Sequence, residues 1–164
     1  MSIEDDLLLI AEQENRLRYA TFDAADAWRL GSHLHALAEK RKAAVAIEIR
    51  VNGQRLFYCA MPGATPSNED WIRRKSHTVD HFRKSSYAVG LGLARDRTTL
   101  EAKTGASIAD FATHGGSFPI SLVGSGCIGS VTVSGLPQRQ DHALVVEALC
   151  DCLGLPVAPL ALKD

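Results

Sequence analysis

Hydrophobic residues recur at helical spacing in the amino-terminal part of the chain, with charged residues between them. The stretch from Ile3 to about Asn15 follows Ser2 and begins with acidic residues, which favour the amino end of a helix. A second stretch starts at Asp23, a typical N-cap residue, and its apolar stripe is Ala27, Leu30, Gly31, Leu34, Leu37 and Ala38. The pattern predicts two amphipathic helices, with a short strand from Arg16 to Ala20 between them.

Strand-like alternation replaces helical spacing in the next segment. The run AVAIEIRV is followed by Asn52-Gly53 and then by QRLFYCAM, and the Asn-Gly pair supplies both positive-φ residues of a type I′ turn. A two-residue loop predicts a hairpin with these facing pairs: Val51 with Gln54, Ile49 with Leu56, Ile47 with Tyr58 and Val45 with Ala60. One face of this hairpin is apolar and the other is mixed, so we expect helices on both sides of a sheet.

A long charged helix is predicted after the hairpin. Pro66 lies at the end of the connecting loop, and Ser67 or Asn68 is the expected N-cap of the segment NEDWIRRKSHTVDHFRK. The segments YAVGLGLARDR and LEAKTGASIADFA follow, and both could be helical although their glycines weaken the pattern.

The carboxyl-terminal part predicts a second hairpin and a last helix. The strands are expected at Phe118 to Val123 and at Gly126 to Ser134, joined by Gly124-Ser125 in a type II′ turn. Pro137 suits the first turn of a helix, and Gly154 suits its end. The order of elements predicts an α+β fold, an α/β/α sandwich in three layers around an antiparallel sheet of about five strands.

Composition and charge narrow the function classes. The 164 residues are 46% hydrophobic and 23% charged, which suits one compact domain over residues 1–164. The net charge of −1 provides no global field for nucleic acid or an anionic membrane. The amino terminus has acids where a signal peptide has basic residues, so we expect a cytoplasmic protein. The four cysteines show no zinc-site spacing and are interpreted as reduced thiols.

Four segments together resemble a branch of the haem-degrading-domain superfamily, also called GlcG-like or HbpS-like. They are WIRRK at Trp71 to Lys75, SSY at Ser85 to Tyr87, HGGSFPI at His114 to Ile120 and SGLPQRQDH at Ser134 to His142. The resemblance implies a profilin-like fold with a five-stranded antiparallel sheet, assembly into homo-oligomers, and haem as a ligand that some members bind or degrade. The chain has no CxxCH motif for covalent haem attachment.

A ligand-binding site is predicted around the HGG loop and the SG turn, because glycines let backbone amides approach a ligand closely. Basic residues of WIRRK add contacts for an anion such as a haem propionate or a phosphate. The candidate ligand-binding residues are Arg74, Lys75, His114, Gly115, Gly116, Ser117, Ser134, Gly135, Asp141 and His142. The alternative interpretation is structural: the glycines adopt unusual backbone angles and Asp141 caps the turn before it.

Other chemistry-bearing residues carry weaker signals. His77 and His81 are one helical turn apart and could ligate a metal, but a solvated face with a positive field is the simpler interpretation, so no metal site is predicted. The catalytic residues are unknown, because no nucleophile stands with its base; a relay of Ser134, His142 and Asp141 has no support in the spacing. Trp71 is a candidate for a subunit interface.

Two functions therefore remain open. The first is a module that binds or senses a small molecule, with haem or another anionic ligand in the predicted site and haem degradation as its enzymatic extension. The second is a homo-oligomeric interaction scaffold without catalysis, which the lack of a coherent catalytic set favours.

Overall fold

The computed structural model describes residues 1–163. Within that range the chain forms six α-helices and four β-strands. In chain order they are α1 Ile3–Arg16, α2 Ala24–Lys40, β1 Ala46–Val51, β2 Gln54–Ala60, α3 Pro66–Phe82, α4 Ser86–Arg95, α5 Leu100–Thr104, β3 Ser117–Leu122, β4 Gly126–Ser134 and α6 Gln138–Leu153. Among residues 1–163, no helix has the length and apolar character needed to cross a membrane.

The four strands form one antiparallel sheet in the order β2-β1-β4-β3. Helices α2 and α6 pack on one face and on each other, and α3 packs on β1, β3 and β4. The predicted α+β class is confirmed. The face toward α2 and α6 is apolar, with Ile47, Ile49, Phe118, Val131 and Val133 at most 1% exposed. Because side chains alternate along a strand, the intervening residues face α3.

That second face of the sheet is polar. Glu48 of β1 lies opposite Thr132 of β4, which in turn lies opposite Ser117 of β3. The Ser117 Oγ and Thr132 Oγ1 atoms are 2.8 Å apart and form a buried hydrogen bond. Arg50 and Ser130 are the next facing pair. The space between the sheet and α3 is therefore where polar side chains of the two layers meet.

The prediction of about five strands is wrong, because the segment from Arg16 to Ala20 does not form a strand. It makes one parallel bridge, in which Tyr19 N donates to Ser121 O at 2.9 Å and Tyr19 O accepts from Val123 N at 2.8 Å. Helix α1 continues to Arg16 and α2 begins at Ala24. The connection between them is thus too short for a paired strand and two turns.

The helix starts follow the capping signals in the sequence. Ser2 and Asp5 form a capping box at α1, and Asp23 and Asp26 form another at α2, so both predicted helices are confirmed. The expected cap of α3 at Ser67 or Asn68 is wrong. Thr65 is the N-cap, Pro66 occupies the first turn, and Asn68 Oδ1 accepts from Thr65 N at 2.9 Å.

The pairing predicted for the first hairpin is right only next to the turn. Val51 pairs with Gln54, but a bulge adds one residue to β2, so that Ile49 faces Phe57 and Ile47 faces Cys59. The other three predicted pairs, Ile49 with Leu56, Ile47 with Tyr58 and Val45 with Ala60, are wrong. The shift brings Phe57 rather than Leu56 against Gly31 of α2, where a side chain on the glycine would overlap the phenyl ring.

Two further expectations are corrected in the second half of the chain. The second hairpin has a three-residue loop, since Leu122 pairs with Gly126. Ser125 N donates to Leu122 O and closes a turn in which Gly124 is the third residue. Gly124 has a φ of 83°, and positive φ at the third position is typical of a type II turn, not of the expected type II′ turn. The second glycine-interrupted segment is helical only over α5, which ends at Gly105 in the left-handed conformation. The last helix begins at Gln138 and ends before Gly154, as predicted.

Candidate functional site

A pocket of about 210 Å³ opens where β4 ends, between α3 and the first turn of α6. Its walls come from three parts of the chain that are far apart in sequence. The lining residues are Asn68, Trp71, Lys75, His114, Ser134, Gly135, Leu136, Gln138 and Asp141. Five of these residues belong to the predicted ligand-binding set: Lys75, His114, Ser134, Gly135 and Asp141.

A buried ion pair forms the floor of the pocket. Lys75 Nζ lies 3.1 Å from Asp141 Oδ2 and donates to Val133 O at 3.2 Å. Asp141 also accepts from the backbone amides of Leu136 at 2.9 Å and Gly135 at 3.3 Å. Its carboxylate therefore caps the turn between β4 and α6, as the structural interpretation of the sequence expects, and also holds the ammonium group of α3.

Burial and the charge of the partner shift the pKa values of Lys75 and Asp141 in opposite directions. Burial lowers the pKa of Lys75, and the charge of Asp141 opposes that shift. Burial raises the pKa of Asp141, and Lys75 and the two amides oppose it. An ammonium group carries three donor hydrogens, and the two protein contacts of Lys75 use only two of them. The third N–H of the Lys75 ammonium group is therefore available to a molecule in the pocket.

Gly116 makes room for the lysine. Its φ is 134°, and a Cβ atom there would overlap Val133 O and lie 2.7 Å from Lys75 Nζ. Any other residue would push the ammonium group away from Asp141. The second glycine of the HGG loop thus contributes by its missing side chain, although neither Gly115 nor Gly116 lines the pocket.

His114 stands at the exposed edge of the pocket. Its ring packs edge-on against Trp71, with the centroids 4.9 Å apart. Partial burial lowers the pKa of His114 and the charges of Lys75 and Arg74 lower it further, so the imidazole is neutral at pH 7. Arg74 itself lies outside the lining: its guanidinium stacks on Trp71 at 4.0 Å and its Nε donates to Asp70 at 3.1 Å.

Two amide side chains supply further donors that sequence analysis did not assign to the site. Asn68 Oδ1 accepts from Thr65 N at 2.9 Å, and Gln138 Oε1 accepts from Gly115 N at 3.1 Å. In each case the oxygen is occupied by a backbone amide, and the NH₂ group makes no hydrogen bond within residues 1–163. The available sequence signal was the cap position of Asn68; nothing local indicates that Gln138 reaches Gly115.

The structure places Ser117 and His142 away from the pocket. Ser117 is buried in the polar sheet face, and its backbone N–H is not free to donate to a ligand because it donates to Ser86 Oγ at 3.1 Å. His142 is 1% exposed, its Nε2 lies 2.8 Å from Gln13 Oε1, and burial lowers its pKa to about 3. Because the imidazole turns toward α1, it does not connect Ser134 with Asp141.

His77 and His81 lie on the exposed side of α3 and both pack against Phe111. The Nδ1 atom of His77 is 3.0 Å from Asp110 O, to which it donates. Within residues 1–163, no group of three or more histidine, cysteine, aspartate or glutamate side chains is arranged to hold a metal ion. The two imidazole rings therefore pack on Phe111.

Comparison with known proteins gives a family and a fold. Residues 22–150 match the family described as haem degrading protein, HbpS-like. A UPF0303 protein of Paraburkholderia phymatum is 56% identical over 162 residues, which cover 99% of this chain and 98% of that protein.

Solved structures share the fold at lower identity. The Ybr137w protein superposes with a TM-score of 0.82 at 30% identity, over 88% of this chain and 86% of that one. The protein in a PduOC:heme complex superposes with a TM-score of 0.67 at 16% identity, over 84% of this chain and 98% of that one. At that identity the second likeness shows the fold alone.

Proposed function

This chain belongs to the family of HbpS-like haem-degrading proteins, and we propose that it binds a small carboxylate-bearing molecule in the pocket above Lys75 and Asp141. The observation that carries the proposal is the convergence of spare donors: the third hydrogen of Lys75 and the NH₂ groups of Asn68 and Gln138. Carboxylate oxygens accept such hydrogen bonds, and charge-assisted ones are the strongest. Trp71 and Leu136 provide apolar walls for the organic part of the ligand.

Haem is the candidate ligand that the family suggests, and the pocket fits part of it. Sites that bury drug-sized ligands measure about 300–1,000 Å³, and this pocket of about 210 Å³ is smaller. It is large enough for a propionate group but too small to enclose the whole macrocycle. Lys75, Asn68 and Gln138 would hold the propionate, and the neutral imidazole of His114 would ligate the iron. Bound haem supplies a redox-active iron centre; degradation of haem is the enzymatic extension of this proposal.

Matched isosteric variants test the donor set. Gln138→Glu and Asn68→Asp keep the oxygen that accepts from Gly115 N or Thr65 N, but replace the donating NH₂ group with a carboxylate oxygen. We expect each variant to bind haem and propionate at least about tenfold more weakly, measured by the Soret band and by calorimetry. Gln140→Glu adds the same charge at an exposed position of α6 and serves as the control. Equal affinity of all four proteins would overturn the pocket as the binding site.

A second candidate function is a homo-oligomeric scaffold, and one exposed side chain favours it. Trp28 of α2 is 67% exposed, while its ring touches Phe57 edge-on with centroids 5.8 Å apart. Tryptophan is enriched among the residues that dominate subunit interfaces. The proposed interface therefore centres on Trp28 rather than on Trp71, which the structure places in the pocket wall. Light scattering of the pure protein distinguishes a monomer from an assembly.

A further inference from the structure

A second groove, of about 500 Å³, lies between the polar face of β1 and β2 and the first half of α3. Its walls carry both signs of charge. The basic lining residues are Arg50, Arg55 and Arg73, and the acidic ones are Glu48, Glu69 and Asp70. Formal charges balance among these six side chains, so the groove as a whole attracts neither simple anions nor simple cations.

Glu48 forms the inner end of the groove and is only half satisfied. The residue is 2% exposed, and its Oε2 accepts from Arg55 Nε at 2.8 Å. Its Oε1 is buried without a hydrogen-bond partner among residues 1–163. A buried carboxylate oxygen without a donor is costly, and native structures rarely leave one in that state. Oε1 is therefore a strong acceptor for a donor supplied from outside the chain.

Arg50 is the complementary group beside it. Its Nη2 donates to Gly53 O at 2.7 Å, while its Nη1 is 3.8 Å from Glu48 Oε2, beyond hydrogen-bond distance. Within residues 1–163 this guanidinium makes no hydrogen bond to a carboxylate. Arg55 and Arg73 differ from it, since Arg55 bonds to Glu48 and Glu69 and Arg73 bonds to Asp70 and Asp110.

A second buried atom without a hydrogen-bond partner lies on the same sheet face. Ser130 of β4 is directly opposite Arg50 in the sheet, so the two side chains point to the same face. Ser130 is 1% exposed, and its Oγ has no hydrogen-bond partner among residues 1–163. A free carboxylate oxygen, a guanidinium with spare donors and a free hydroxyl thus lie at neighbouring positions of one sheet face.

We propose that this groove binds a small zwitterion with an ammonium and a carboxylate group, such as an amino acid or a short peptide. The ammonium group donates to Glu48 Oε1, and the carboxylate accepts from Arg50. An anion alone would leave Oε1 without a donor, and a cation alone would leave the remaining Arg50 donors without a hydrogen bond to a carboxylate. A zwitterion satisfies both groups and keeps the groove neutral.

The wild-type chain tests the ligand class without any mutation. Glycylglycine carries both charged groups, whereas acetate and methylamine carry one each. We expect glycylglycine to shift the backbone amide signals of β1 in NMR spectra, because β1 lines this groove and not the pocket above Lys75 and Asp141. The affinities that the same signals report for acetate and for methylamine are each expected to be at least about tenfold weaker. Equal affinity of acetate at the β1 signals, or no shift of these signals by millimolar glycylglycine, would overturn the proposal.

Two variants locate the site. Arg50→Gln removes the carboxylate-binding group at a half-buried position without disturbing the bond between Glu48 and Arg55, so it keeps the fold testable. Glu48→Gln removes the ammonium-binding charge. Both are expected to weaken the glycylglycine affinity reported by the β1 signals at least about tenfold, while Arg95→Gln at an exposed position of α4 serves as the matched control. Unchanged affinity in Arg50→Gln contradicts the assignment. The pocket variant Gln138→Glu changes no residue of the groove, so the shifts at β1 should persist in it and the two sites are tested separately.

Discussion

Lys75 and Asp141 are joined by a 3.1 Å contact between two side chains that are at most 4% exposed, one from α3 and one from α6. The contact ties together the two helical layers at the end of β4. Removing one partner of a buried pair leaves an unpaired charge away from water, which costs more than the pair itself contributes. The pair therefore has a structural role in addition to its place in the pocket floor.

Asp141→Asn is expected to lower the free energy of unfolding by about 3 kcal/mol, because it leaves the Lys75 ammonium group buried beside a neutral amide. Urea denaturation measures the change. Asp110→Asn is the control, since Asp110 is exposed and its ion pair with Arg73 is a surface contact. The control should cost less than about 1 kcal/mol. If both variants lower the free energy of unfolding by the same small amount, the buried pair contributes no more to stability than a surface ion pair.

The pair also shows what the sequence could and could not predict. Lys75 and Asp141 were both candidate ligand-binding residues, each for a local reason: one from a basic segment and one from a turn before a helix. Their contact spans a separation of 66 residues, and no local pattern indicates it. The donors of Asn68 and Gln138 were missed for the same reason, because their orientation depends on backbone amides that the fold brings to them.

Local signals, by contrast, predicted most of the fold. The acidic residues after Ser2, the N-cap candidate Asp23 and Pro137 before α6 predicted helix starts that the structure confirms. The resemblance to the haem-degrading superfamily is confirmed by the family match. Two errors arose where one residue changes the outcome. A bulge shifts the register of the first hairpin between Arg50 and Ile49, and α1 extends to Arg16, where the fifth strand was expected to begin.

Gly116→Ala is expected to destabilise the protein by about 1–3 kcal/mol and to weaken ligand binding in the pocket. Its φ of 134° disfavours any side chain, and the added methyl would overlap Val133 O beside Lys75. Thermal unfolding followed by circular dichroism measures the loss. Gly92→Ala is the matched control, because Gly92 lies within α4 with nothing within 4 Å of a Cβ atom. The control should gain about 0.5–1 kcal/mol in stability. A loss in Gly92→Ala as large as that in Gly116→Ala would contradict this explanation.

His142 predicts a pH dependence of stability. Burial lowers its folded-state pKa from 6.5 to about 3, so between these values the unfolded chain binds a proton that the folded chain does not. The stabilising contribution is complete above the unfolded pKa and is lost as the pH falls toward 3. We expect a loss of about 1 kcal/mol for each pH unit between pH 6 and pH 4. Urea denaturation at several pH values measures the slope.

The variant His142→Gln isolates that contribution. Glutamine has no proton to gain in this range, so its stability should fall less steeply with decreasing pH than that of the wild type. The carboxylates titrate equally in both proteins and cancel in the comparison. Gln140→Ala, at an exposed position of α6, removes no titrating group and should keep the wild-type slope. Parallel slopes for wild type and His142→Gln would rule out His142 as the source of the acid sensitivity.

Trp28 leads to the prediction about assembly. If this side chain anchors an interface between copies of the chain, the pure protein should scatter light as a species larger than the 17.7 kDa chain, and Trp28→Arg should shift the mass toward one chain. An arginine there replaces apolar contact with a charge that an interface would have to desolvate. Val123→Arg is the control, because Val123 is 66% exposed but lies at the tip of the second hairpin. The same mass for Trp28→Arg and wild type would remove Trp28 from the interface, and a wild type that scatters as one chain would count against the scaffold function as a whole.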